Sequence, residues 1–75
     1  MIEYDKISAF ESEHDCIVYL NESAPLYVVK VHFVDGEIIT REYRSSTPID
    51  FNKLILDTLA GIDLMIRLKW GELIV

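Results

Sequence analysis

The segment Tyr27 to Tyr43, YVVKVHFVDGEIITREY, leaves little freedom in how it folds, because two alternating runs flank an Asp35-Gly36 pair. A glycine after a short acidic residue supplies the positive φ that a tight β-hairpin needs. The loop length follows from the side chains. A two-residue loop would set Lys30 against Arg41 and Val29 against Glu42, opposing like charges and mixing the two faces. A three-residue loop, Val34-Asp35-Gly36 with Gly36 left-handed, pairs Tyr27 with Tyr43 and Val31 with Ile39 instead. Tyr27, Val29, Val31, Phe33, Ile39 and Tyr43 then share one face, the expected core side. The opposite face carries Val28, Lys30, His32, Val34, Ile38, Thr40, Glu42 and Arg44, a mixture that matches neither a dry interior nor a fully wetted surface.

The flanks are read around this hairpin, which is placed over residues 26–44. Residues 15–20, DCIVYL, alternate Cys16, Val18 and Leu20 with Ile17 and Tyr19 and predict a strand. Asn21 to Pro25 breaks it, since Pro25 has no N–H to donate and holds Ala24 extended. Ile7, Ala9 and Phe10 suggest a weaker opening strand, turning at Glu11 to His14. On the far side, Thr47-Pro48 followed by Asp50 reads as a capped helix start. Phe51, Leu54, Ile55, Leu59 and Ile62 line one face of a helix over 48–60, with Gly61 as its left-handed end. Ile62, Leu64, Ile66, Leu68 and Trp70 alternate with Asp63, Met65, Arg67 and Lys69, where only Met65 breaks the pattern, which favours a strand or short hairpin over 62–75 with a turn at Lys69-Trp70-Gly71-Glu72. The alternative is one long helix over 48–68, which would roughly double the helical content.

The expected architecture is therefore α+β in two layers: an antiparallel meander of four or five strands against one helix. A chain of 75 residues has room for a single domain, near the lower limit for a core without disulfides or metal. Half of its residues are apolar, so pairing into a homodimer would bury surplus apolar surface. One cysteine, Cys16, excludes an internal disulfide framework and fits a reducing compartment, with the cytoplasm expected. The first residues lack a signal-peptide pattern, and no apolar run approaches the roughly 20 residues that span a bilayer.

The formal charge is −6, concentrated in residues 1–22, where Glu3, Asp5, Glu11, Glu13, Asp15 and Glu22 stand against Lys6 alone. Binding nucleic acid through phosphates needs clustered Lys and Arg, and the chain has no such cluster. The acids serve either solubility or a basic surface on a partner protein. Soft metal ligands number three, His14, Cys16 and His32, with Glu11 or Glu13 as the nearest carboxylates to complete a zinc set. Cys16 and His32 could also make a nucleophile and base, although a domain this small has little volume for both a core and a cleft. The glycines are isolated turn residues rather than a phosphate loop. No catalytic, cofactor or metal signature emerges.

What remains is a small acidic protein-binding module, a regulator, inhibitor or subunit of a partner protein. Its sharper form is a blocker of a basic nucleic-acid-binding effector, of the kind phages encode. The candidate contact residues are Glu11, Glu13 and Asp15 at the acidic end, Val28, His32, Val34 and Ile38 on the unassigned hairpin face, and Trp70 as an aromatic anchor. The competing readings are a metal- or thiol-dependent activity around Cys16, His14 and His32, and a purely structural homodimer.

Overall fold

The computed structural model describes residues 2–69, in the order α1 (Tyr4–His14), β1 (Cys16–Ser23), β2 (Leu26–Phe33), β3 (Ile38–Arg44) and α2 (Phe51–Lys69). The fold is α+β: one three-stranded antiparallel sheet, ordered β1-β2-β3, with two helices. The hairpin takes the register set by its three-residue loop. Tyr27 lies opposite Tyr43 and Val31 opposite Ile39, Gly36 has φ 96°, and the Phe33 N–H donates to the Glu37 carbonyl at 2.9 Å. β1 extends through Ser23, so the expected break over Asn21 to Pro25 contracts to Ala24 and Pro25.

Both ends of the chain differ from the sequence expectation. The opening strand at Ile7 to Phe10 is instead part of α1. Its two buried residues, Ile7 and Phe10, stand three apart on one helical face, while Ala9 is exposed. Asp5 in the first turn and His14 in the last match the helix dipole. Asp15 closes the helix in a left-handed conformation, its N–H donating to the Glu11 carbonyl.

The second helix begins at Phe51, not at Pro48. Asp50 caps it: its carboxylate accepts the Lys53 N–H at 3.2 Å and its carbonyl accepts the Leu54 N–H at 3.1 Å. Thr47 belongs to a separate turn, where its carbonyl accepts the Ser45 hydroxyl. Gly61 does not end the helix, and the strand expected from residue 62 is helical through Lys69. The stripe Phe51, Ile55, Leu59, Ile62 and Ile66 continues past Gly61 at steps of three and four. The exposed Leu64 and Leu68 had produced the false alternation. The long-helix alternative, expected over 48–68, is the one adopted, and the described residues form two helices and three strands where one helix and four or five strands were expected. The proposed turn at 69–72 and the strand after it fall on Trp70 to Val75, outside the described residues.

The core lies between the sheet and the helices. Val29 and Val31 from β2 meet Ile55 and Ile62 from α2, all but fully buried, with Ile7, Phe10, Cys16, Tyr27, Phe51 and Leu59 around them. Each such side chain contributes about 1.5–3 kcal/mol through removal from water. At the margin of this core the Tyr43 hydroxyl lies 3.1 Å from Thr58 Oγ1, which itself donates to the Leu54 carbonyl at 2.7 Å, so Tyr43 donates to Thr58. No helix among the described residues is long and apolar enough to cross a membrane.

Candidate functional site

Because both helices pack on the odd face of the hairpin, the even face is left open. Strand register turns it into an ordered surface. Ile17, His32 and Ile38 form one cross-strand row, Tyr19, Lys30 and Thr40 the next, and Asn21, Val28 and Glu42 the third. The apolar members sit at the end nearest the β2–β3 loop: Ile17 is 54% exposed, Tyr19 51%, Ile38 56% and Val34, in the loop itself, 85%. Among the described residues no element covers them. A shallow basin of about 480 Å³ lies over the middle rows, between Tyr19, Lys30, His32 and Glu42.

His32 stands at the centre of this surface. Its ring meets Tyr19 edge-on, with centroids 4.8 Å apart, and Nε2 is shielded from water without a hydrogen-bond partner among the described residues. Leaving such a group desolvated and unpaired costs about 1–3 kcal/mol. Charge on this face is also unlike the rest of the chain: Lys30 and Arg44 outnumber Glu42 on a protein of net charge −6.

The acidic candidates have structural roles first. Glu11 Oε2 accepts the Val18 N–H at 2.8 Å, which occupies an outward donor on the β1 edge and shields that edge from strand addition. Glu13 pairs with Arg67 at 3.0 Å. Asp15 is exposed, and its carbonyl accepts the Val34 N–H at 3.0 Å. Asp15, Asp35 and Glu37 gather beside Glu13 around a second hollow, which Arg67 and Lys69 also line. Trp70 lies outside the described residues.

His14, Cys16 and His32 do not converge. Cys16 points into the core, and its thiol lies 4.0 Å from the Phe10 carbonyl. Burial, reinforced by the charges of Glu11 and Asp15, pushes that thiol above its ordinary range, the opposite of what a nucleophile needs. His32 faces the other side of the sheet. His14 belongs to α1, where it meets α2: its Nε2 donates to Asp63 Oδ1 at 2.8 Å, and its ring packs against Phe10. Arg67 Nε donates to Asp63 Oδ2 at 2.8 Å and its terminal nitrogen to Glu13, completing a chain of charge across the two helices. The Arg67 guanidinium holds the Asp63 carboxyl below the usual carboxylate range, with partial burial opposing and His14 assisting.

Asp63 and Arg67 were not legible as partners of His14, since their contact depends on where two helices cross. Ile17 and Tyr19 were also missed as members of the open face; the strand prediction for 15–20 had already placed them on one side, and only the β1–β2 register was lacking. No protein-family model, curated protein or solved structure matches this chain.

Proposed function

We propose that this chain works by binding another protein, as a regulator, inhibitor or subunit, and that the open face of the sheet is the contact surface. The observation that carries the reading is the row Ile17, His32 and Ile38, flanked by Tyr19 and Val34, which no element among the described residues covers and which contains a buried imidazole nitrogen without a partner among them. Exposed aromatic and aliphatic side chains around a desolvated polar group are the usual make-up of an interface centre. Lys30, in the adjoining cross-strand row, suits an acidic group on the partner surface.

A second reading has its own support. Asp15 from the α1–β1 turn and Asp35 and Glu37 from the β2–β3 loop come to one end of the molecule, where a basic groove on a nucleic-acid-binding effector would find complementary charge. One experiment separates the two. Tagged protein is incubated with lysate of the native cell, in wild-type form, as Ile17→Asp/Ile38→Asp, and as Asp15→Asn/Asp35→Asn/Glu37→Gln, with each variant's fold checked by circular dichroism. The open-face reading predicts a stoichiometric partner lost by the first variant and kept by the second. Retention by the first and loss by the second, with strong salt sensitivity, transfers the contact to the acidic end. Retention by both variants contradicts both readings.

A further inference from the structure

The C-terminal end of α1 meets α2 in a cluster that the open sheet face does not use. Glu13 and His14 close α1, Asp63 lies in α2, and one donor atom from each falls within 4.8 Å of the others. We propose that Glu13, His14 and Asp63 bind a divalent transition-metal ion of the zinc type, which enters by displacing the Arg67 guanidinium and fastens the end of α1 to α2.

Four features support this site. The donor set, one imidazole and two carboxylates, is a mixed nitrogen and oxygen set that suits Zn²⁺ or its neighbours and not Mg²⁺ or Ca²⁺, which take oxygen ligands. The spacing is near that required: tetrahedral bonds of ~2.1 Å place donor atoms ~3.4 Å apart, His14 Nε2 and Asp63 Oδ1 stand at 2.8 Å, and the Glu13 side chain is exposed, so side-chain adjustment is all the set asks for. His14 is already held, only 10% exposed and packed on Phe10, so little rotamer freedom is lost on ligation. The site also lies at the C-terminal end of α1, where the last carbonyls favour a cation.

Arg67 now supplies that positive charge. It donates to one oxygen of Asp63 and to one of Glu13, the two carboxylates a metal would use. A doubly charged ion neutralises both carboxylates where the guanidinium offsets one charge, so the ion and Arg67 compete for the same oxygens. Coordination requires the Nε2 lone pair of His14, and the hydrogen that Nε2 shares with Asp63 leaves to Nδ1 or to solvent as the ion enters. Water fills the remaining position.

Competition with Arg67 makes the idea testable in both directions. Untagged protein is titrated with ZnCl₂ by calorimetry, as wild type, Asp63→Asn, His14→Gln and Arg67→Gln. One ion per chain is expected, with affinity lowered about tenfold or more by Asp63→Asn or His14→Gln and raised roughly tenfold by Arg67→Gln, which takes the guanidinium's ion pairs to Asp63 and Glu13 out of the competition. Long-range ¹H–¹⁵N spectra of the wild-type imidazoles keep the test independent of variant folding, because Zn²⁺ must move the His14 ring nitrogens and leave those of His32 in place. Absence of one-to-one binding, unchanged affinity in Arg67→Gln, or a shift at His32 in place of His14 would overturn the site.

Discussion

Val31 and His32 are neighbours in β2, yet one is completely buried and the other looks out from the uncovered side of the sheet. The two faces of this sheet are built from similar strands and differ in what lies over them. On the odd face, α1 and α2 supply Ile7, Phe10, Ile55, Leu59 and Ile62, and the β2 side chains disappear from solvent. On the even face, residues of comparable hydrophobicity remain half exposed around an imidazole with a nitrogen that has no partner among the described residues. The first face holds the core; the second leaves apolar surface exposed, which is the ground for proposing it as a contact surface.

The largest expected effect tests this division with one residue type. Ile55→Ala, at 0% exposure, should cost about 2–5 kcal/mol in urea unfolding, whereas Ile38→Ala, at 56%, should cost less than about 1. Equal losses would mean that the even face is covered in solution. Next comes the clasp within the covering layer. Asp63→Asn should cost about 1–2 kcal/mol at neutral pH, because it weakens charge-assisted bonds to Arg67 and His14. It should also change the acid limb. The folded-state carboxyl sits below its unfolded value, so its contribution is complete above the ordinary carboxylate range and is lost as pH falls through the lower folded value, below about pH 4. Asp63→Asn removes that part of the slope, as unfolding measured across pH would show.

Two tyrosines give a smaller contrast. Tyr43→Phe deletes the hydroxyl that donates to Thr58 and should cost roughly 0.5–1.5 kcal/mol, while Tyr19→Phe, on the open face, should be close to neutral. The smallest effect has the opposite sign. Gly61 sits within α2 and a Cβ there would meet no atom within 4 Å, so Gly61→Ala should stabilise by about 0.5–1 kcal/mol, visible as a raised thermal midpoint.

How much was legible in the sequence depended on the density of the pattern. The hairpin was readable because period two, a turn glycine and the charges of Lys30, Arg41 and Glu42 all constrained one register, and Tyr27 opposite Tyr43 followed. α1 was not, since Ile7 and Phe10 are its only buried residues and two apolar positions cannot distinguish a helix from a strand. The second half of α2 misled for a different reason. Exposed Leu64 and Leu68 interleave with buried Ile62 and half-buried Ile66, so the apolar residues alternated although only the helical stripe packs. The open face was half legible: Val28, His32 and Ile38 stood out as unassigned, whereas Ile17 and Tyr19 joined them only through pairing with β2. The His14, Asp63 and Arg67 cluster had no sequence signal, because it links residues 49 positions apart across a helix crossing.

The central claim, that the even face is the contact surface, is tested most directly by hydroxyl-radical footprinting of the dilute free protein and of its complex with the captured partner. In the free protein, Tyr19 and Ile38 should be oxidised readily while Tyr27 and Phe51 are protected. In the complex, Tyr19 and Ile38 should become protected, while Leu64 and Met65 on the outer side of α2 keep their reactivity. Protection confined to Leu64, Met65 and Leu68, with Tyr19 and Ile38 unchanged, would contradict the account.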